Sequence, residues 1–167
     1  MPAVKRSVVG IGLASGFLEP LESTSIHMVQ SAVARLLELF PSRGANQAVR
    51  DSYNRLTHAE YDGIRDFLIL HYRANLRDEP FWQDCRAIAA PDSLQARIDL
   101  FREAGATDLS KSDLFTEPAW VQVMTGQGIM PEQWSPLADG LPAPELAHFL
   151  GSIRADVARQ VGVAAAR

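Results

Sequence analysis

Apolar positions in this sequence recur mostly at intervals of three and four residues, the spacing that makes one face of an α-helix hydrophobic. The first such run predicts a helix over residues 24–40, with Ser23 or Thr24 as N-cap and Pro41 as stop. Its apolar seam consists of Ile26, Val29, Val33, Leu36, Leu37 and Phe40, all on one face. Further helices are predicted roughly over residues 46–75, 93–104 and 144–160.

Several boundaries stay open at this level. Thr57, with Glu60 three residues later, has the spacing of a capping box and could start a new helix within the second run. Arg77 to Pro80 should end that run, and residues 114–125 suit either a short helix or a loop. We treat residues 1–160 as one helical domain and residues 161–167, which are small and unpatterned, as a frayed tail.

The N-terminal segment has a different pattern. Residues 8–18 are apolar, begin with β-branched side chains and are interrupted by glycines, so residues 7–22 predict one strand followed by a turn. No second clear strand follows, and the predicted fold is mainly α with one orphan strand. Because backbone groups of a strand need partners, this segment either pairs with something outside the chain or is not a strand.

Composition narrows the possible classes. The chain has 167 residues, 47% of them hydrophobic and 22% charged, which suits one globular domain. A net charge of −4 without a basic stripe disfavours nucleic acid as a partner. Cys85 is the only cysteine, which excludes an intrachain disulfide and a cysteine-based metal cluster. Without a clear signal peptide or a long apolar span, we expect a cytoplasmic protein that is not in the membrane.

Three familiar motifs are incomplete or absent. Gly10, Gly12 and Gly16 resemble a dinucleotide-binding loop, but the third glycine is displaced and Pro20 interrupts the chain where a helix should open. None of the four histidines is spaced with carboxylates as a metal triad would be, so no metal ligands are assigned. No Gly-x-Ser-x-Gly elbow supports a serine triad either.

The acidic segment before the first helix contains the clearest candidate catalytic and anion-binding groups. Glu22 lies on a turn directly before a helix N-terminus, where unpaired amides and the helix dipole favour an anion. The amides of Thr24 and Ser25 could hold a small anion while Glu22 acts on a neighbouring substrate. Alternatively, Ser23 or Thr24 caps the helix and Glu22 simply benefits from the dipole.

Four blocks of this sequence, in order, resemble the second half of flavin-dependent tryptophan halogenases. The most specific block is Gly12-Leu-Ala-Ser-Gly-Phe-Leu-Glu-Pro-Leu-Glu-Ser-Thr-Ser-Ile-His27. The supporting blocks are Arg65-Asp66-Phe67 with His71-Tyr72, Arg77-Asp78 with Phe81-Trp82, and Trp120 followed by Gly126-Gln127-Gly128 and Pro131. The resemblance covers residues 8–134.

That resemblance implies specific roles. In the family, reduced FAD and oxygen convert chloride or bromide into hypohalous acid, which reaches an electron-rich aromatic ring, and a separate flavin reductase supplies the reduced FAD. Glu22 would orient the oxidant and take the ring proton, and the amides of Thr24 and Ser25 would bind halide, although the family often has glycine at the latter position. The remaining matches are Leu13 and Ile26, which would lie against the flavin, and Trp120 and Gln127, which would contact substrate.

The sequence also departs from the family. The family's flavin-binding glycine loop, its essential lysine and its Gly-Trp-x-Trp-x-Ile-Pro motif have no counterpart in this sequence. We therefore expect a C-terminal portion that is incomplete and inactive alone, completed by a separate N-terminal flavin-binding half. Free-tryptophan enzymes of the family grip the amino acid with neighbouring aromatics and an acid near Trp120, Val121 and Gln127; the second aromatic and the acid are missing here, which argues against free tryptophan as substrate. A non-catalytic helical interaction module, a flavin-dependent hydroxylase relative and a homodimer through an exposed apolar face remain open.

Overall fold

The fold is mainly α, as the sequence predicts. The computed structural model describes residues 4–5, 8–41, 46–109 and 113–165. Within these ranges the chain forms two short strands, β1 Val4–Lys5 and β2 Val8–Val9. The helices are α1 Thr24–Glu38, α2 Gln47–Arg73, α3 Pro80–Ala87, α4 Asp92–Ala104, α5 Glu117–Gly126 and α6 Ala143–Ala165, with 3-10 turns at Gly12–Ala14 and Pro136–Gly140.

The N-terminal strand is short and has a partner in this chain, which corrects the expectation of an orphan strand. β2 pairs with β1 in an antiparallel ladder, with Val4 opposite Val9 and Lys5 opposite Val8. A ladder of two residues on each side satisfies few backbone groups, so packing against helices must hold it in place. Contacts between β1 and α2 supply that support.

Helix α1 packs through a different face from its apolar seam. The buried residues are Thr24, Met28 and Ala32, spaced four apart, and they lie on the side of α1 that faces the protein. The seam remains largely in solvent, with exposed fractions of 69% for Ile26 and 71% for Leu37. Met28 packs with Ile64 and Leu68 of α2, and the more hydrophobic face of α1 is left for other contacts.

Helix α2 is continuous, so Thr57 does not start a new helix. The Asn46 side chain caps it by accepting a 2.9 Å hydrogen bond from the Val49 amide. The Thr57 hydroxyl instead accepts a 2.8 Å hydrogen bond from Arg35 on α1. The expected link over residues 42–44 lies outside the described residues.

Two helices settle points that the sequence left open. Pro80 does not end α2, which already ends at Arg73. It occupies the first turn of α3, where its missing N–H is harmless. The segment that could be a helix or a loop contains α5. α4 matches its predicted range and is followed by Gly105 as C-cap. Gly105 has a φ of 62°, a conformation that glycine adopts without strain because it has no Cβ.

The main core lies between α2, α4 and α5. Its buried residues are Phe67, Leu70, Leu94, Ile98, Phe101, Trp120, Met124 and Ile129. Trp120 is 1% exposed and meets the Phe67 ring edge-on at 5.0 Å between centroids. The Arg97 guanidinium lies 4.4 Å from the Trp120 ring centroid, a cation–π contact.

Helix α6 extends to Ala165, beyond the predicted end at residue 160. The expected fraying at residues 166 and 167 lies outside the described residues. The α6 apolar stripe is exposed and consists of Leu146, Phe149, Leu150, Ile153, Val157 and Val161. None of the helices in the described ranges has both the length and the apolar character needed to cross a bilayer.

Candidate functional site

The acidic turn before α1 is closed by its own backbone. The Ser23 amide donates a 3.0 Å hydrogen bond to the Pro20 carbonyl. Ser23 then adopts φ 54° and ψ 30°, which makes it the only non-glycine residue with positive φ in the described part of the chain. This left-handed residue sends the chain abruptly into α1 and leaves the preceding Glu22 exposed.

The N-terminus of α1 has the features of a small-anion site. Ser23 occupies the N-cap position but makes no side-chain capping bond, so no capping side chain engages the first amides. Thr24 is 1% exposed, and its Oγ1 is buried with no hydrogen-bond partner among the described residues. A buried hydroxyl without a partner is costly, and an anion held at the helix N-terminus would satisfy it. Ser25 is half-buried beside it.

An aromatic cleft of about 190 Å³ lies next to the acidic turn. Its lining residues are Leu21, His71, Tyr72, Asn75, Trp82 and Gln127. The Tyr72 and Trp82 rings stack with their centroids 5.9 Å apart and their planes 24° apart. Since Leu21 precedes Glu22 directly, the exposed carboxylate is one residue from the wall of the cleft.

The other cleft residues are held by polar contacts. His71 Nδ1 donates a 2.8 Å hydrogen bond to the Phe67 carbonyl, which fixes the imidazole orientation. The Tyr72 hydroxyl donates a 2.8 Å hydrogen bond to Glu19 Oε2. That hydrogen bond, helped by partial burial of the ring, raises the pKa of Tyr72 above its ordinary value. The acidic turn is thus tied to the end of α2.

The two residues expected to bind substrate are separated. Gln127 lines the aromatic cleft, at the C-terminal end of α5. Trp120 is not among the lining residues, because its indole is enclosed in the core between Phe67 and Arg97. In the described residues Trp120 packs in the core, and its predicted contact with substrate stays a prediction. Sequence reasoning missed Tyr72 as a cleft residue, although the His71-Tyr72 pair was part of the resemblance.

Leu13 and Ile26, the residues expected against the flavin, are both exposed and lie on adjoining elements. Leu13 is 76% exposed on the 3-10 turn that packs against α1, and Ile26 is 69% exposed on the first turn of α1. A Cβ on Gly12 would lie 3.0 Å from Val29 Cγ2, so this turn and α1 approach closely. Leu13, Ile26 and Val29 are exposed apolar side chains, and the predicted contact of Leu13 and Ile26 with a flavin stays a prediction.

A polar network attaches α1 to α2. Glu60 accepts a 2.9 Å hydrogen bond from Arg35, and its other oxygen lies 3.0 Å from His27 Nε2. Arg35 also donates to Thr57, and the side chains of Arg35 and Glu60 are only 14% and 10% exposed. These contacts position α1, and with it the amides of Thr24.

Comparison with known proteins gives consistent results. A family model described as tryptophan halogenase matches residues 2–143. The 7-chloro-L-tryptophan 6-halogenase KtzR of Kutzneria sp. is 41% identical over 99 residues, which are 59% of this chain and 19% of KtzR. The tryptophan 7-halogenase RebH of Lentzea aerocolonigenes is 30% identical over 157 residues, covering 84% of this chain and 28% of RebH.

Solved structures show the same fold. Xcc4156, a flavin-dependent halogenase from Xanthomonas campestris, is 44% identical with a TM-score of 0.89, over 96% of this chain and 33% of Xcc4156. BrvH, a flavin-dependent halogenase from Brevundimonas sp., is 38% identical with a TM-score of 0.89, over 96% of this chain and 33% of BrvH. The chain thus spans between about a fifth and a third of the length of the relatives it matches.

Proposed function

Because this chain belongs to the tryptophan halogenase family, we propose that it forms the part of an FAD-dependent halogenase that carries the reacting carboxylate, the halide site and one wall of the substrate cleft. The substrate is an electron-rich, indole-type aromatic ring. The observation that carries the proposal is the juxtaposition of Glu22, the α1 N-terminus with its unpartnered Thr24 hydroxyl, and the aromatic cleft at Leu21.

The α1 N-terminus binds chloride or bromide in this proposal. The amides of Thr24 and Ser25 donate to the anion, the helix dipole attracts it, and the Thr24 hydroxyl gains a partner. Serine at position 25 preserves the amide that a glycine would offer there. When bound, reduced FAD supplies, together with oxygen, the oxidising power that converts halide into hypohalous acid.

Glu22 acts on the ring and on the oxidant. Its carboxylate orients hypohalous acid towards the ring carbon, and the halogen–oxygen bond breaks as the carbon–halogen bond forms. The ring becomes positively charged, which the carboxylate stabilises, and Glu22 then takes the proton from that carbon so that aromaticity returns. Glu22 passes that proton to the hydroxide released from hypohalous acid, which leaves as water, and the carboxylate is restored. Glu22 is exposed and directly follows Leu21, which lines the cleft, so its carboxylate is free to reach a ring bound there.

The aromatic cleft holds the ring. The stacked faces of Tyr72 and Trp82 suit a flat aromatic molecule, and Asn75 and Gln127 offer uncharged hydrogen-bonding groups. No Asp, Glu, Lys or Arg side chain lines this cleft in the described part of the chain. A neutral indole-type ring therefore fits better than the zwitterion of free tryptophan, which requires paired charges.

Leu13 and Ile26 contact one side of the flavin in this proposal, and the rest of the flavin site is contributed by a separate flavin-binding portion. The exposed seam of α1 is the surface on which that portion packs. A flavin reductase supplies the reduced cofactor. The purified chain alone should neither bind FAD stoichiometrically nor halogenate, and stoichiometric binding would contradict this division of labour.

The test is a chimera in which this chain replaces the matching third of Xcc4156. With FAD, a flavin reductase, oxygen and bromide or chloride, we expect halogenated indole by mass spectrometry. Glu22→Gln should lower turnover by about 100-fold or more, since a positioned acid–base group contributes that much. Glu38→Gln, an exposed acid at the far end of α1, is the matched control and should retain turnover. Undiminished turnover of folded Glu22→Gln would refute the proposal.

Two alternatives give different results in the same assay. A flavin-dependent hydroxylase would give a hydroxylated product whose yield does not depend on halide. A non-catalytic interaction module would give no product in the chimera and the same partner binding for Glu22→Gln.

If the α1 seam instead joins two copies of this chain, light scattering on the purified chain will give the mass of a dimer.

A further inference from the structure

A second cavity lies on the α3 side of Tyr72. It has a volume of about 290 Å³ and is formed by the N-terminal loop, α2 and the end of α3. Its lining residues are Leu18, Glu19, Arg65, Leu68, Ile69, Tyr72, Cys85 and Ile88. Tyr72 is the only one of these that also lines the aromatic cleft described above. The two cavities are therefore distinct in composition.

The charged groups of this cavity already have partners. Arg65 donates 2.8 Å hydrogen bonds to Asp62 and to the buried Asp66. Glu19 accepts the hydroxyl hydrogen of Tyr72 at 2.8 Å. Arg65 is neutralised by its two carboxylates, Glu19 has a hydrogen-bond donor, and apart from the Cys85 thiol and the Tyr72 hydroxyl the other lining side chains are apolar. An anion would lose its hydration beside Glu19 without gaining a partner, whereas a neutral apolar ligand has little hydration to lose and fits the mostly apolar lining.

The volume limits the size of the occupant. Apolar cavities of roughly 150 Å³ are large enough to bind benzene. At about 290 Å³ this cavity has room for a molecule of one or two fused rings, near the lower end of ordinary ligand pockets. We propose that it is a second binding site, separate from the aromatic cleft, for a neutral apolar ring molecule such as indole or naphthalene.

An occupant here would touch the loop that leads to the acidic turn. Leu18 and Glu19 line the cavity and lie three or four residues before Glu22. A bound ring would pack against Leu18 and against the Tyr72 face, and it would restrict the motion of this loop. Binding itself does not rest on the proposed halogenation, and it can be measured on the chain alone.

Cys85 provides the probe, because it is the only cysteine and it lines the cavity. The rate of alkylation by iodoacetamide is followed by mass spectrometry, with and without indole or naphthalene. We expect either ring to slow alkylation, by about tenfold when its concentration is ten times its dissociation constant. Equal rates with and without both rings, up to their solubility limits, would overturn the proposal.

Two exposed isoleucines give matched variants. Ile88→Glu introduces a charge at the cavity, and Ile26→Glu introduces the same charge on α1; these residues are 64% and 69% exposed, so both variants should fold. Protection of Cys85, expressed as the ratio of rates with and without ligand, should be lost in Ile88→Glu and kept in Ile26→Glu. Protection that survives in folded Ile88→Glu would contradict the assigned site. Trp82→Leu, in the aromatic cleft, should keep protection; its loss there would show that the two cavities are one site.

Discussion

The Tyr72 hydroxyl on α2 donates a 2.8 Å hydrogen bond to the carboxylate of Glu19, which lies 53 residues earlier in the chain. This bond joins the loop that leads to Glu22 to the helix that lines both cavities. The stacked Trp82 ring supports Tyr72 from α3. The position of the acidic turn thus depends on the N-terminal loop, α2 and α3 together.

Removing the charge at Glu19 should change the titration of Tyr72. The raised pKa of Tyr72 comes first from its hydrogen bond to Glu19, which favours the protonated phenol. The associated stability is present below the ordinary tyrosine pKa of about 10 and is lost as pH rises through the higher folded value. In Glu19→Gln the pKa should fall towards the ordinary value, as followed by tyrosinate absorbance. Glu22→Gln is the control and should leave the curve unchanged; an unaltered curve in Glu19→Gln would refute this assignment.

The Arg35–Glu60 ion pair should matter more for stability than a surface pair. Both side chains are largely buried, so Glu60→Gln leaves the Arg35 charge without its carboxylate, at an expected cost of about 3 kcal/mol in urea unfolding. The Arg77–Glu79 pair has a 2.6 Å contact but is more than half exposed. Glu79→Gln should therefore change the midpoint very little. Similar midpoints for the two variants would contradict this difference.

Trp120 should act as a core residue and not as a ligand contact. Trp120→Leu removes most of a fully buried ring and its cation–π contact with Arg97, so we expect a loss of about 3 kcal/mol in unfolding free energy. Trp134→Leu, at a ring that is 59% exposed, is the matched control and should change stability far less. Loss of indole binding in the aromatic cleft of folded Trp120→Leu would contradict a role in packing alone.

Two glycines should respond to alanine in opposite directions. At Gly105 φ is 62°, and a Cβ would lie 2.7 Å from the Gln133 carbonyl oxygen, so Gly105→Ala should destabilise by about 1–3 kcal/mol. At Gly151, inside α6, a Cβ meets nothing within 4 Å. Gly151→Ala should raise helicity, with a gain of up to about 1 kcal/mol. Circular dichroism melts compare the two, and a stabilised Gly105→Ala would rule out the steric argument.

Local signals in the sequence were sufficient for most helix positions. Periodicity and the stop at Pro41 located α1, and Gly105 marked the end of α4, because these depend on residues near each boundary. α3 was missed because Glu79-Pro80 suits both the end of one helix and the first turn of the next. The partner of β2 was missed because a two-residue strand has no detectable periodicity.

The site was only partly accessible from sequence. The acidic turn and the α1 N-terminus are contiguous in the chain, so a motif could identify Glu22 and Thr24. The cleft is assembled from Leu21, α2, α3 and the end of α5, which only the fold brings together. The packing of Trp120 against Phe67 was not accessible from sequence, because a sequence position does not reveal which side of α5 faces α2.

The left-handed conformation of Ser23 has a consequence for how this corner can vary. An L-residue with positive φ costs about 1–2 kcal/mol relative to its ordinary conformations, and only glycine escapes that cost. Ser23 therefore sets the direction in which the chain enters α1, while the hydrogen bond from Tyr72 to Glu19 holds the loop before it. We therefore expect exchanges at positions 22 and 25 to leave the course of the main chain unchanged, so that this bend is a fixed frame on which the proposed chemistry can vary.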